Sequence, residues 1–214
     1  MKKVAMVLSG CGVFDGSEIH EAVIALLNLQ MLGAQVCFFA PQGVAFDAVN
    51  HVDGAPEGKR DVLIESARIA RGNISPLSAF DPQSFEAIVF VGGFGAAKNL
   101  CSFAFDGPDC TVNKDVEMAI KGAIAAGKKL AFMCISPVIA ARVISSGVKL
   151  TIGSDAKTAA AIEAMGAKHV DCPADSFVED ESFGVFSTPA YMLAKSTVEI
   201  DKGVGRMFAK MLSD

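Results

Sequence analysis

Residues 129–144, KLAFMCISPVIAARVI, decide the fold class, because a short apolar run is followed by a cysteine, a brief turn and a helical segment. The run 129–134 predicts a buried strand, and Pro137 suits the first turn of the helix that continues to Ile144. Cys134 therefore lies on a strand-to-helix turn, where the unpaired N–H groups of the helix favour a thiolate. Judged by position alone, a nucleophile and an ordinary buried cysteine are equally good interpretations.

The rest of the chain repeats this alternation of short apolar runs and helical segments. Further strands are predicted at 4–8, 35–40, 87–91 and 151–152, with a hairpin around 177–178 and 185–186 and a loop or small hairpin at 42–58. Helices are predicted over 19–31 (with an N-cap from 15–17), 61–71, 113–126, 155–165 and within 192–212. Strands that alternate with helices indicate an α/β protein with a parallel sheet between two helix layers.

Composition and charge narrow the class of protein. The 214 residues are 51% hydrophobic and include 20 glycines, which suits one sizeable core, so we expect a single domain spanning 1–214. No apolar run approaches the roughly 18 residues of a membrane span, and the run at 4–8 is too short for a signal peptide. The net charge is −5 without a Lys/Arg cluster, which argues against nucleic acid as a partner.

The cysteines and histidines carry information about compartment and metals. Six cysteines are scattered without a C-x-x-C pair, so they are interpreted as reduced thiols, and we expect a cytoplasmic protein. The three histidines lack the spacing of metal ligands, so neither a metal nor another cofactor is expected.

The predicted topology brings three loops to one edge of the sheet. In open α/β sheets the site lies beyond the carboxyl ends of the strands, which here means residues 9–21, 92–99 and 134–137. Gly92 and Gly93 end a buried strand, where glycine lets N–H groups approach a developing oxyanion. A tight turn that needs a positive φ is the plainer explanation of the same pair.

Two acidic residues, Glu18 and Glu21, lie at the start of the first predicted helix. Acids at that position stabilise the helix dipole, and this accounts for them as well as a functional role does. The functional interpretation is that one of them bonds the Cys134 sulfur as general acid and base. His20 faces away from both on the helix and is a second candidate base, and His20 and Asn99 are candidate substrate contacts.

Five segments together resemble the ThiJ/PfpI superfamily, whose fold is that of class I glutamine amidotransferases. They are SGCGVFDGSEIHEAV at 9–23, VGGFGAAKNL at 91–100, FMCISP at 132–137, LTIGSD at 150–155 and STPAYML at 187–193. Within the superfamily the chain is similar to the ElbB-like branch of isoprenoid biosynthesis proteins with an amidotransferase-like domain. The first segment is specific to that branch, whereas a Gly-Gly pair followed by a strand-ending cysteine is shared more widely.

The resemblance implies a flavodoxin-like three-layer sandwich with a mostly parallel central sheet, usually a homodimer. It makes Cys134 the nucleophile and places the acid twelve residues before the glycine that ends the first helix. That glycine is Gly33, so the acid is Glu21, with Glu18 lining the pocket and Gly93 and Ile135 near the oxyanion. The implied activity is a glyoxalase-type lyase reaction that converts small 2-oxoaldehydes such as glyoxal and methylglyoxal to hydroxy acids without glutathione or metal.

The chain departs from related peptidases and glutaminases of this fold. Those enzymes use a histidine directly after the cysteine or a late His-x-Glu pair. Here Ile135 follows Cys134, and no histidine comes after His169, so both activities lose their base. The alternatives left open are a redox-sensing or protective protein that is oxidised at Cys134, and an accessory protein of isoprenoid metabolism.

Overall fold

The computed structural model describes residues 1–213 and is built on a seven-stranded sheet in the order β3-β2-β1-β4-β5-β9-β8. Its strands are β1 Lys3–Val7, β2 Gln35–Ala40, β3 Ile74–Pro76, β4 Ala87–Phe90, β5 Lys129–Met133, β8 Val178–Asp180 and β9 Val185–Thr188. All neighbours pair in parallel except β8, which runs antiparallel to β9. The mostly parallel sheet of the predicted α/β fold is confirmed.

Seven α-helices pack around this sheet among the described residues. They are α1 Ile19–Met31, α2 Val62–Ile69, α3 Phe103–Asp106, α4 Lys114–Ala125, α5 Pro137–Ile144, α6 Ala156–Ala164 and α7 Thr197–Met211. Helices α1 and α7 cover one face of the sheet, and α4, α5 and α6 pack on the other. The three layers of a flavodoxin-like sandwich follow from this arrangement. No helix among residues 1–213 is long and apolar enough to cross a membrane.

The central strands are buried on both faces, which explains their continuous apolar sequences. In β1, Ala5 and Val7 face one core, whereas Val4 and Met6 face the other. The register places Val7 beside Phe90 of β4, so the two strands end together. Their carboxyl ends, with those of β5 and β9, therefore form one edge of the sheet.

The start of α1 differs from the prediction. Glu18, and not a residue of 15–17, is the N-cap, and its side chain accepts the Glu21 N–H. Ser17 is unavailable because its hydroxyl accepts the backbone N–H of Ser9 at 2.8 Å, which ties together the two ends of the loop after β1. Glu18 therefore lies outside the helix, directly before its first turn.

Two short sheet elements also differ from the prediction. The strand predicted at 151–152 is wrong: the short strand is β6 Lys149–Leu150, paired with β7 Lys168–His169 in a separate two-stranded sheet. The Thr151 N–H is bound by the Ser187 hydroxyl at 2.9 Å and is not part of a strand ladder. Strand β3 was not predicted, because three residues carry too little periodicity.

Candidate active site

Cys134 occupies a strained turn directly after β5. Its φ is +60°, a left-handed conformation that residues other than glycine adopt rarely and that concentrates at functional sites. The Cys134 N–H donates to the carbonyl of Thr188 at 3.0 Å. The Ser136 hydroxyl accepts the Met133 N–H at 2.8 Å and lies 2.9 Å from the Phe90 carbonyl. The ends of β4, β5 and β9 thus hold this turn in place.

Glu21 is the partner of Cys134 and is completely buried. Its Oε1 accepts the Tyr191 N–H at 3.1 Å. Its Oε2 is buried and has no hydrogen-bond partner of good geometry among the described residues. Burial raises the pKa of Glu21 to about 8, the charge of Glu18 adds to the rise, and hydrogen bonds from Tyr191, Cys134 and the Gly92 backbone oppose it. At neutral pH most Glu21 side chains therefore carry a proton.

The Cys134 thiol is also less acidic than usual. Burial raises its pKa well above the ordinary value, and the charge of Glu21 raises it further. The N–H groups of Gly93 and Ile135 lie near the sulfur and lower the pKa, but they do not overcome burial. The prediction that this turn favours a thiolate is therefore wrong, because desolvation outweighs the helix N-terminus. A thiolate has to form by proton transfer during a reaction.

Only glycine fits at positions 92 and 93, because neighbouring atoms of the site lie against the backbone there. A Cβ at Gly92 would overlap both the Cys134 Cβ and the Glu21 Oε2, so glycine is what allows these two side chains to meet. Gly93 has a φ of +95°, and a Cβ there would overlap the Glu18 N. The backbone of this turn thus approaches the reactive atoms closely, as the sequence predicted, and no larger residue fits.

Glu18, His20 and Tyr191 form a polar group beside the buried pair. Glu18 Oε2 accepts the Glu21 N–H at 2.7 Å, and Glu18 Oε1 lies 4.0 Å from His20 Nδ1. The same His20 nitrogen lies 2.8 Å from the Tyr191 hydroxyl. The prediction that His20 faces away from both acids is wrong for Glu18, because Glu18 precedes the helix and folds back over its first turn.

Asn99 is engaged in holding loops together. Its amide nitrogen donates to the carbonyls of Ser9 at 2.9 Å and Asp15 at 3.0 Å. Its amide oxygen accepts the Phe46 N–H at 2.9 Å. These bonds connect the loop after β1 with the loop after β2, and they occupy both ends of the side chain that was a candidate substrate contact.

The remaining histidines and cysteines lie elsewhere. His51 Nε2 accepts the Phe14 N–H, and His169 Nε2 accepts the Ile152 N–H. All six cysteines are free thiols. Among residues 1–213 no group of three or more His, Cys, Asp or Glu side chains is arranged to hold a metal ion.

Sequence reasoning missed the turn after β9, which contributes two backbone groups to the site. The Thr188 carbonyl binds the Cys134 N–H, and the Tyr191 N–H binds Glu21. The segment STPAYML contributed to the family resemblance, but no role followed from it. The available signal was its position, since a polar Thr-Pro step after a buried strand lies at the same sheet edge as Cys134.

Comparison with known proteins places the chain in a family. It is 46% identical to human glutamine amidotransferase-like class 1 domain-containing protein 3, mitochondrial, over 221 residues that cover 98% of this chain and 82% of the relative. The chain belongs to this glutamine amidotransferase-like family. Its rat member, named ES1 protein homolog, mitochondrial, is 45% identical, with coverage of 98% and 83%. No protein-family model matches the chain.

Solved structures confirm the resemblance to isoprenoid biosynthesis proteins with an amidotransferase-like domain, and more distant ones show the DJ-1/ThiJ fold. The isoprenoid biosynthesis protein with amidotransferase-like domain from Ehrlichia chaffeensis superposes with a TM-score of 0.91 at 34% identity, covering 98% of both chains. Glyoxalase III from Candida albicans shares the fold, with a TM-score of 0.63 at 15% identity and coverage of 99% and 96%. The family fold therefore includes a glyoxalase among its more distant neighbours.

The predicted cytoplasmic location is contradicted by the curated relatives. The human and rat proteins are both named as mitochondrial, and so is the zebrafish ES1 protein, which is 34% identical over 208 residues. Unpaired cysteines indicate a reducing compartment, but they do not distinguish one such compartment from another.

Proposed function

We propose that this protein converts small 2-oxoaldehydes to 2-hydroxy acids through Cys134 and Glu21, without glutathione. The observation that carries the proposal is the pairing of a cysteine in a left-handed turn with a fully buried carboxyl group. The carboxyl group has a pKa raised to about 8, close to the pH at which it has to accept and return protons. Only 8% of Cys134 is exposed, so a substrate of a few heavy atoms suits the site.

The first half of the reaction forms a covalent adduct. The ionised fraction of Glu21 takes the thiol proton as the Cys134 sulfur attacks the aldehyde carbon, C1. The oxygen of C1 becomes an oxyanion near the N–H groups of Gly93 and Ile135. Protonated Glu21 then returns the proton to that oxygen, giving a hemithioacetal and a carboxylate.

The second half moves hydrogen from C1 to C2. The Glu21 carboxylate removes the C1 proton, leaving an enediolate, and then protonates C2 as the C1 hydroxyl proton passes to the C2 oxygen. C1 is oxidised to a thioester while C2 is reduced to an alcohol, so no external oxidant or reductant is needed. Water hydrolyses the thioester, releasing the hydroxy acid and restoring the Cys134 thiol.

Peptidase and amidotransferase chemistry fit the site less well. Both require a histidine that activates the cysteine. Here His51 and His169 bind backbone N–H groups of other loops, and the Nδ1 of His20 is bound to Tyr191. The carboxyl group of Glu21 is the base that remains beside the sulfur.

The test is loss of methylglyoxal and formation of lactate in the absence of glutathione. Cys134→Ser should lower kcat/KM by about a thousandfold or more, because it removes the nucleophile. Cys172→Ser is the matched control, since Cys172 is also a buried free thiol and should leave turnover within about twofold. Equal turnover of Cys134→Ser and the wild type would contradict the assignment of Cys134 as the nucleophile.

The redox alternative is disfavoured by the protonated state of the thiol. The thiolate is the species that peroxide oxidises, and the pKa of Cys134 is raised. Mass spectrometry after mild peroxide treatment should therefore show no preference for Cys134 over the half-exposed Cys11. Selective oxidation of Cys134 without aldehyde turnover would favour a sensor instead. A role in isoprenoid metabolism is supported only by the name of the Ehrlichia relative.

We further propose that α1 mediates a homodimer. Ile19, Val23, Leu27 and Met31 recur every four residues on its outer side and are 42% to 75% exposed. The exposed residues of α1 include no Asp, Glu, Lys or Arg, and an exposed apolar stripe of this length is normally covered by a partner. An uncharged stripe can pair with its own copy about a two-fold axis without repulsion.

Sedimentation measurements test the dimer. Val23→Glu together with Leu27→Glu should shift the protein to monomers at micromolar concentration, because the stripe would then carry four buried charges per dimer. Met118→Glu, at a residue of α4 that is 62% exposed, is the control and should leave the dimer intact. A wild-type monomer, or a dimer that survives the double substitution, would exclude this interface.

A further inference from the structure

We propose that Tyr191 is a positioning residue, which uses its backbone N–H to fix Glu21 so that one chosen carboxyl oxygen faces Cys134. The inference deepens the proposed Cys134–Glu21 chemistry and rests on it. It assigns a role to the turn 188–191, which neither the sequence motifs nor the family comparison provided.

One turn of four residues binds both members of the reactive pair. At its beginning the Thr188 carbonyl accepts the Cys134 N–H at 3.0 Å. At its end the Tyr191 N–H donates to Glu21 Oε1 at 3.1 Å. The Thr188 hydroxyl donates to the Ser176 carbonyl at 2.7 Å, which fixes the start of the turn against the neighbouring segment. The separation of sulfur and carboxyl group is therefore set by this turn.

Ala190 gives the turn its unusual shape. Its φ is +43°, and its side chain is completely buried. A left-handed alanine is strained, and strain of this kind persists where the surroundings impose it, most often at functional sites. Because Ala190 directly precedes Tyr191, its conformation sets the direction in which the Tyr191 N–H points.

The bond to Oε1 selects the oxygen that carries the proton. An oxygen that accepts an N–H is the poorer site for a proton of its own, so the proton of neutral Glu21 lies on Oε2. Oε2 has no partner of good geometry, although the Gly92 backbone also lowers the pKa of Glu21, and a Cβ at Gly92 would contact both Oε2 and the Cys134 sulfur. The turn thus points the transferable proton at the sulfur and at any carbonyl bound beside it.

The phenol of Tyr191 continues the network outward. Its hydroxyl lies 2.8 Å from His20 Nδ1, and His20 is the exposed member of the group, with 59% of its side chain accessible. The ionisable groups that face Glu21 are Glu18 from the cap of α1, Cys134 from the turn after β5 and the phenol of Tyr191. Because the Tyr191 N–H binds Glu21 and its hydroxyl binds His20, the effects of removing the two groups can be measured separately.

The experiment removes only the N–H. Tyr191 is replaced, by nonsense suppression, with the α-hydroxy acid that has the same side chain, so that the amide becomes an ester. Carboxyl ¹³C NMR of protein labelled at glutamate, with the Glu21 signal assigned from its absence in Glu21→Gln, then follows the titration. Since the N–H stabilises the ionised carboxylate, its loss should raise the pKa of Glu21 by about one to two units.

Two further variants separate the backbone from the side chain. Tyr191→Phe keeps the N–H and loses only the hydroxyl, so the Glu21 titration should move by less than half a unit. Ala190→Gly keeps the left-handed conformation and should also leave the Glu21 titration unchanged. Ala190→Val resists that conformation and should therefore raise the pKa of Glu21, as the ester does.

The outcomes distinguish this inference from the proposed function. A Glu21 titration unchanged in both the ester and Ala190→Val would overturn the positioning role, whatever the turnover. If the ester shifts the titration but the wild type does not consume methylglyoxal, the positioning stands and the glyoxalase assignment fails. For a working enzyme we expect the ester to lower kcat by about tenfold or more with a smaller change in KM.

Discussion

Two buried glutamates in the first turns of their helices, Glu21 in α1 and Glu65 in α2, have opposite surroundings. Both are nearly inaccessible, with 0% and 9% exposure. Glu65 is held by two guanidinium groups, at 2.8 Å from Arg68 Nε and 3.4 Å from Arg60 Nη1. Glu21 faces no cation among residues 1–213; its polar neighbours are the N–H groups of Tyr191 and Gly92, the Cys134 thiol and another acid, Glu18.

Their surroundings distinguish a carboxylate that stabilises the structure from one that can transfer protons. The Glu65 carboxylate forms ion pairs with two arginines and joins α2 to its flanking loop. A carboxyl group buried without a cation is costly to ionise, and it can therefore exchange a proton near neutral pH. Both residues lie in the first turn, three residues after the N-cap in α1 and four in α2, so the distinction lies in what the neighbouring strands and loops present.

The largest expected effect is on turnover, and it compares the two residues directly. Glu21→Gln should lower kcat/KM for methylglyoxal by about a thousandfold, because the amide can neither accept nor return a proton. Glu65→Gln should leave it within about threefold, since Glu65 contacts α2 and its loop and not Cys134. Steady-state kinetics on both variants test this, after thermal melts show that each is folded. Equal losses of kcat/KM in the two variants would contradict a special role for Glu21.

The next effect is on stability as a function of pH. The pKa of Glu21 is about 8 in the folded protein and has its ordinary value of 4.5 in the unfolded chain, so the folded state keeps a proton that the unfolded chain releases between these values. Its contribution is complete below pH 4.5 and is lost as the pH rises through 8. This removes roughly 3 to 4 kcal/mol of unfolding free energy between pH 5 and pH 8.

Urea unfolding at a series of pH values measures this loss. Glu21→Gln should flatten the dependence, because its amide does not titrate, and should be more stable than the wild type at pH 8. A wild-type curve without a decline above pH 5 would show that Glu21 ionises normally and would remove the basis for its proton transfer.

Much of the fold follows from local sequence. The apolar runs that form β1, β4 and β5 are buried on both faces, and that of β2 is half-buried over most of its length; such runs are readable without tertiary information. The weak elements β3, β6 and β7 have two or three residues each, and their pairing depends on neighbours remote in the chain.

The site was predictable in part. Cys134 could be placed from its strand-to-helix position, and Glu21 from its spacing to Gly33 in a family pattern. The protonation state of the Cys134 thiol could not be predicted. Its sequence position reveals the helix N-terminus, whereas the burial that raises its pKa comes from residues throughout the chain. Tyr191 acts through a backbone N–H, which every residue except proline possesses and no sequence pattern marks.

The smallest expected effect comes from making the surroundings of Glu65 resemble those of Glu21. Arg60→Met together with Arg68→Met removes both cations, leaving a buried carboxylate that lacks charged partners. The unfolding free energy at pH 7 should fall, by less than for a fully buried pair because the arginine side chains are 38% and 63% exposed. Methylglyoxal turnover should stay within about twofold, since Glu65 lies in a pocket with Cys11 and not beside Cys134. Denaturation with urea and kinetics on the same samples decide the point. A double variant that is as stable as the wild type would mean that burial without a cation is tolerated generally, and the isolation of Glu21 would then no longer single it out.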